Sequence, residues 1–133
     1  MTIQRTLLLL ALLACQFSKS AQAESVDCHV SYGGETQIIS AQPAATPYTV
    51  APTSIGSYFM FRLVFERQPP GLAAIKLYTY ADRDPPQGAV MLHQADYLYP
   101  PPPAQGPYGF TGLQRVYEPI RDGELQYWCG WKK

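Results

Sequence analysis

Met91 and His93 stand two positions apart in the run Ala89 to Tyr99, a spacing that sets both side chains on one face of an extended chain. A thioether beside an imidazole is a ligand pair suited to copper in the periplasm. Met60 and His29 would complete such a site if their strands lay next to that run. The competing reading is coincidence, since the chain holds only two His and, besides Met1, two Met. Hydrolysis has less to build on. His29 or His93 would have to meet Ser31, Ser40, Ser54 or Ser57, and no Gly-x-Ser-x-Gly elbow presents a nucleophile. Asp82 and Asp84 flank Arg83, and paired carboxylates serve glycoside hydrolysis. Placed before Pro85-Pro86, however, they read as turn-forming side chains. Neither a glycine-rich phosphate loop nor zinc spacing occurs. The chain reads as non-enzymatic.

Binding has more material. All ten Tyr follow residue 23, and Tyr78 with Tyr80, and Tyr97 with Tyr99, alternate with apolar residues along two runs. Each pair is expected on the face opposite its strand's apolar set. Tyr offers large rigid area with one polar tip, which suits contact with a glycan or a protein; half-buried Tyr on a sheet is the plainer account. The stretch Tyr97 to Phe110 adds four consecutive prolines, Pro100 to Pro103, with Tyr99, Tyr108 and Phe110 around them. Prolines hold a polyproline II rod that loses little entropy on binding. A stiff spacer joining two strands is the alternative. The candidate contact residues are Tyr97, Tyr99, Tyr108, Phe110, Tyr78 and Tyr80.

The first residues have another purpose. A short basic segment ending at Arg5, an apolar run from Thr6 to Ala14 and the small-x-small triplet Ala21-Gln22-Ala23 read as a secretory signal peptide over 1–23. Leu12-Leu13-Ala14-Cys15 resembles the lipobox of bacterial lipoproteins, which implies a chain anchored through a lipidated Cys15 as the alternative. Either way the destination is the periplasm or beyond. The domain then spans 24–133, 110 residues with one core. It carries eight basic and ten acidic residues, with no basic stripe, so nucleic acid is not an expected partner. Cys28 and Cys129 are left to form a disulfide. On the chain-entropy account, closing a loop of about 100 residues stabilises by up to ~4–5 kcal/mol. It also requires the first and last strands to be neighbours or to face each other across the core.

The elements that must carry these residues are all extended. Phe59, Phe61, Leu63 and Phe65 alternate along Ser57 to Glu66 and make the core strand. Around it the alternation predicts strands from Val26 to Val30, Thr36 to Ser40, Ala74 to Ala81, Ala89 to Tyr99, Leu113 to Glu118 and Leu125 to Trp131. Val90, Leu92 and Leu98 share the apolar phase of the fifth. Gly33-Gly34 and Asp122-Gly123 close hairpins. Ala41 to Pro52, with three prolines, reads as an edge or crossover connection whose Tyr48 and Val50 tuck onto the core. Seven strands with turns every 8–12 residues predict an antiparallel β-sandwich of immunoglobulin-like architecture, with a closed barrel as second choice.

Overall fold

A computed structural model of the chain describes residues 23–133; the rest of the expected leader, including Cys15, lies outside the described residues. Among the described residues eight strands form: β1 (Ser25–Tyr32), β2 (Glu35–Ala41), β3 (Thr53–Ile55), β4 (Phe59–Glu66), β5 (Ala74–Asp82), β6 (Ala89–Leu98), β7 (Gln114–Glu118) and β8 (Gly123–Lys132). The strand beyond the expected seven is β3, a short edge lying between the connection that ends at Pro52 and the core strand. Two four-stranded antiparallel sheets result, ordered β2-β1-β8-β7 and β3-β4-β5-β6. The chain is thus a two-layer sandwich and not a closed barrel. Every pair of neighbours is consecutive in sequence except β1 and β8. The chain therefore meanders where immunoglobulin domains cross between sheets, and the likeness to them is confined to the two layers.

Alternation builds the core as the sequence predicts. Phe59, Phe61, Leu63 and Phe65 of β4 are buried, facing Val26, Cys28 and Val30 of β1 and Leu125, Tyr127 and Cys129 of β8. Burying each such large side chain stabilises the fold by roughly 1.5–3 kcal/mol. Cys28 and Cys129 lie directly opposite in the β1–β8 ladder and are bridged, with Cα atoms 4.0 Å apart. First and last strands are therefore neighbours in one sheet.

Two expectations about side-chain direction fail, for local reasons. Between Thr79 and Tyr80 the β5–β6 register shifts: Thr79 pairs with His93 and Tyr80 with Met91, leaving Leu92 as the extra residue of a β-bulge. One extra residue exchanges the faces of everything beyond it. After the bulge the odd-numbered residues His93, Ala95, Tyr97 and Tyr99 turn inward, while Leu98 is exposed. Tyr97 and Tyr99 therefore sit on the core side, opposite to expectation. Tyr48 also differs, being 93% exposed. It lies in a 3-10 turn, Pro47–Thr49, where the backbone carbonyls of Pro47 and Val50 accept hydrogen bonds from the Arg62 guanidinium. At this turn polar backbone, not the Tyr48 ring, meets Arg62 of β4.

Candidate functional site

The loop from Tyr99 to Leu113 links β6 to β7, and both of its feet are fastened. At the first foot, Tyr99 packs against Phe65 and Trp131, with ring centroids 5.4 and 5.9 Å apart. Its hydroxyl donates to the Glu24 carboxylate at 2.6 Å, a bond that raises the phenol's pKa above its ordinary value. Pro101 behind it is buried. Tyr97 meets Phe110 edge-on at 5.2 Å, so the two feet also touch each other.

The second foot is a backbone graft onto β8. Strand β7 begins at Gln114, opposite Tyr127, and leaves the outward N–H and C=O of Cys129 without a ladder partner. The loop supplies one: Phe110 N–H donates to the Cys129 carbonyl at 3.0 Å, and Cys129 N–H donates to Thr111 Oγ1 at 2.9 Å. Gly109 makes the approach close enough. Its φ is +61°, and a Cβ there would stand 2.0 Å from the Cys129 carbonyl oxygen. The longest displayed stretch of the loop is the arc from Pro102 to Tyr108, curling around a cleft of about 420 Å³ lined by Pro102, Pro103, Pro107, Tyr108 and Phe110.

From this arc an aromatic row runs across the outer face of the first sheet. Tyr108, 43% exposed, meets Trp128 edge-on at 6.2 Å. Trp128 stacks on His29 at 3.9 Å with the ring planes 5° apart. His29 is the ladder partner of Ile38 on β2, itself 61% exposed. One charged pair borders the row: Lys132 binds the Asp27 carboxylate, which also accepts from Ser40. These bonds hold the Asp27 carboxyl below its usual range, the one from Lys132 contributing most.

The six expected contact residues are thus dispersed. Tyr97, Tyr99 and Phe110 build the base of the loop, and Tyr108 alone reaches the displayed arc. Tyr78 and Tyr80 stack at 6.3 Å on the outer face of the other sheet, where the Arg62 guanidinium lies over Tyr78 at 5.1 Å. The sequence reading passed over Trp128 and Ile38, although a signal for Trp128 was there. If Cys28 and Cys129 bridge neighbouring antiparallel strands, residues 29 and 128 must pair on the opposite face.

The four candidate copper ligands are also separated. The bulge puts Met91 outside and His93 inside, so the expected shared face does not exist. Met60 and Met91 flank Tyr80 in one row of the second sheet's outer face, and His29 belongs to the outer face of the first. His93 Nε2 lies 2.9 Å from the Tyr127 hydroxyl, and burial holds its pKa below the ordinary imidazole value. Among the described residues no three His, Cys, Asp or Glu side chains gather to hold a metal ion. The Ser31 hydroxyl pairs with Thr36 and that of Ser40 with Asp27, rather than with an imidazole. Comparison with protein-family models, curated proteins and solved structures returned no match.

Proposed function

We propose that this chain is a non-catalytic binding module, working in an oxidising compartment outside the cytoplasm, that holds a protein partner against the arc Pro102 to Tyr108 and the adjoining row of Trp128 and His29. The observation that carries the reading is the doubly fastened loop. Fifteen residues, Tyr99 to Leu113, join strands in two sheets only ~10 Å apart, a gap that three or four extended residues span. The surplus is anchored at Tyr99, Pro101 and Gly109–Thr111, and a loop fixed before binding loses less entropy when it binds. Protein contact is favoured over sugar stacking because His29 already covers one face of the Trp128 ring. The surface then consists of proline rings and aromatic edges, the material of protein interfaces. The paired Cys28 and Cys129 suit an oxidising compartment.

The test places a photoreactive phenylalanine derivative at position 108 and, separately, at position 80, in the full chain made by its own host. A discrete protein adduct is expected from position 108 and not from position 80. The adduct should vanish when Pro102, Pro103 and Pro107 are replaced by Ser, with the melting temperature unchanged. Equal labelling from both positions, or none from 108, overturns the reading, and retention on a glycan array without a protein adduct replaces protein by sugar.

A further inference from the structure

Strand β2 is an edge, and of the devices that keep edges apart it has one charged residue at its end, Glu35. Of the other three edges, β3 has three residues, β7 has five, and β6 carries both the Leu92 bulge and Asp96. Short length, bulges, charged side chains (Lys above all) and Pro are the usual protections. Glu35–Ala41 runs seven residues in unbroken register with β1, without Lys, Pro or bulge, and places the exposed Ile38 at its centre.

The direction of its backbone groups follows from the hairpin. Gly33-Gly34 is a two-residue turn, so Tyr32 and Glu35 exchange hydrogen bonds, and so do Val30 with Gln37 and Cys28 with Ile39. The alternate residues Thr36, Ile38 and Ser40 therefore aim N–H and C=O away from β1. Among the described residues no other backbone group reaches them.

We propose that β2 pairs antiparallel with β2 of a second copy of this chain about a two-fold axis at Ile38. In this register Ile38 faces Ile38, and Thr36 faces Ser40 of the other copy, so that all three outward-aimed residues exchange bonds, about six in total. The edge is self-complementary in this arrangement. Glu35, its one charged residue, falls opposite Ala41, so no like charges meet, and two exposed Ile side chains cover each other. The two sheets become one of eight strands. The rows of Tyr108, Trp128, His29 and Ile38 then join end to end across the axis. None of this depends on what the loop binds.

Sedimentation equilibrium on the full chain as its host makes it, over a wide concentration range, tests the pairing. The wild type should show a reversible monomer–dimer equilibrium. Ile38→Lys and Ile38→Glu, each placing like charges opposite one another, should each weaken it at least about tenfold. An equimolar mixture of the two should recover association as a heterodimer, a rescue that misfolded chains cannot give. A wild type that stays monomeric overturns the proposal and leaves β2 to a strand from another protein. A dimer indifferent to Ile38→Lys, or a mixture no better than its components, overturns it equally.

Discussion

Gly109 bears more on the loop than any of its aromatic residues. Its φ of +61° is one that side-chain-bearing residues adopt only at a cost, and the atom a Cβ would strike is backbone, at 2.0 Å. Nothing flexible there can yield. Gly109→Ala should therefore lower stability by at least ~2 kcal/mol, or break the bonds from Phe110 and Thr111 to Cys129 and release the loop. Gly106, in the same loop, has open space around it, and Gly106→Ala should fall within ~0.5 kcal/mol of wild type. Denaturant midpoints of the two variants check this; equal values would mean that the graft onto β8 does not hold the loop.

On the scale of an element, β6 decides which aromatic residues are surface and which are scaffold. With Leu92 absorbed as the extra residue, Val90, opposite the buried Ala81, and the odd-numbered residues from His93 onward take the core side. Deleting Leu92 leaves those phases intact and should cost only the packing of one half-buried Leu, ~1–3 kcal/mol. Deleting Ala95 instead turns Tyr97 and Tyr99 outward, detaches the first foot of the loop, and should cost considerably more. Thermal melts of the two deletions give the comparison, and similar losses would show that the bulge does not set the phase. The same element shows where sequence reading stops. Val90, Leu92 and Leu98 look like one apolar face because alternation is all a sequence displays, whereas a bulge exists only in the pairing of two strands.

For the molecule as a whole, the two ends of the sandwich divide the work. The end away from the loop is closed by Glu118 of β7, fully buried. Burial disfavours its charge, but Ile120 N–H, Arg121 N–H and the Arg83 guanidinium donate to the carboxylate and hold its pKa below the usual range. Through Arg83 this bond ties the turn after β5 in one sheet to the turn after β7 in the other. His93, in the interior, is lowered by desolvation, while Tyr127 beside it is raised by burial. The signs follow. A group with a depressed folded pKa contributes stability above its unfolded value and loses it as pH falls through the folded one. Stability should decline first as pH drops below ~6.5, through His93, and again below ~4.3, through Glu118. Tyr127, being raised, contributes fully only below ~10, so the plateau lies between ~6.5 and ~10. Denaturant midpoints measured against pH trace the profile. His93→Gln, which keeps a partner for the Tyr127 hydroxyl but cannot titrate, should flatten the first decline, and an unchanged shoulder would remove His93 from the account.

What the amino-acid order determined by itself was everything that depends on neighbours along the chain. The alternation of Phe59, Phe61, Leu63 and Phe65 placed the core strand, Gly33-Gly34 marked one hairpin and Asp122-Gly123 the far end of another, and Cys28 with Cys129 set the bridge between first and last strands. Apolar periodicity and turn chemistry are local, so they survive without coordinates. What the tertiary structure alone decided was everything that depends on a partner strand: the bulge that parts Met91 from His93, the inward turn of Tyr97 and Tyr99, and the graft of Gly109 to Thr111 onto Cys129. The exposed edge of β2 is of that kind as well. Which face a residue takes, and which backbone groups stay open, are settled by pairing between strands far apart in the chain, and no single segment carries that information.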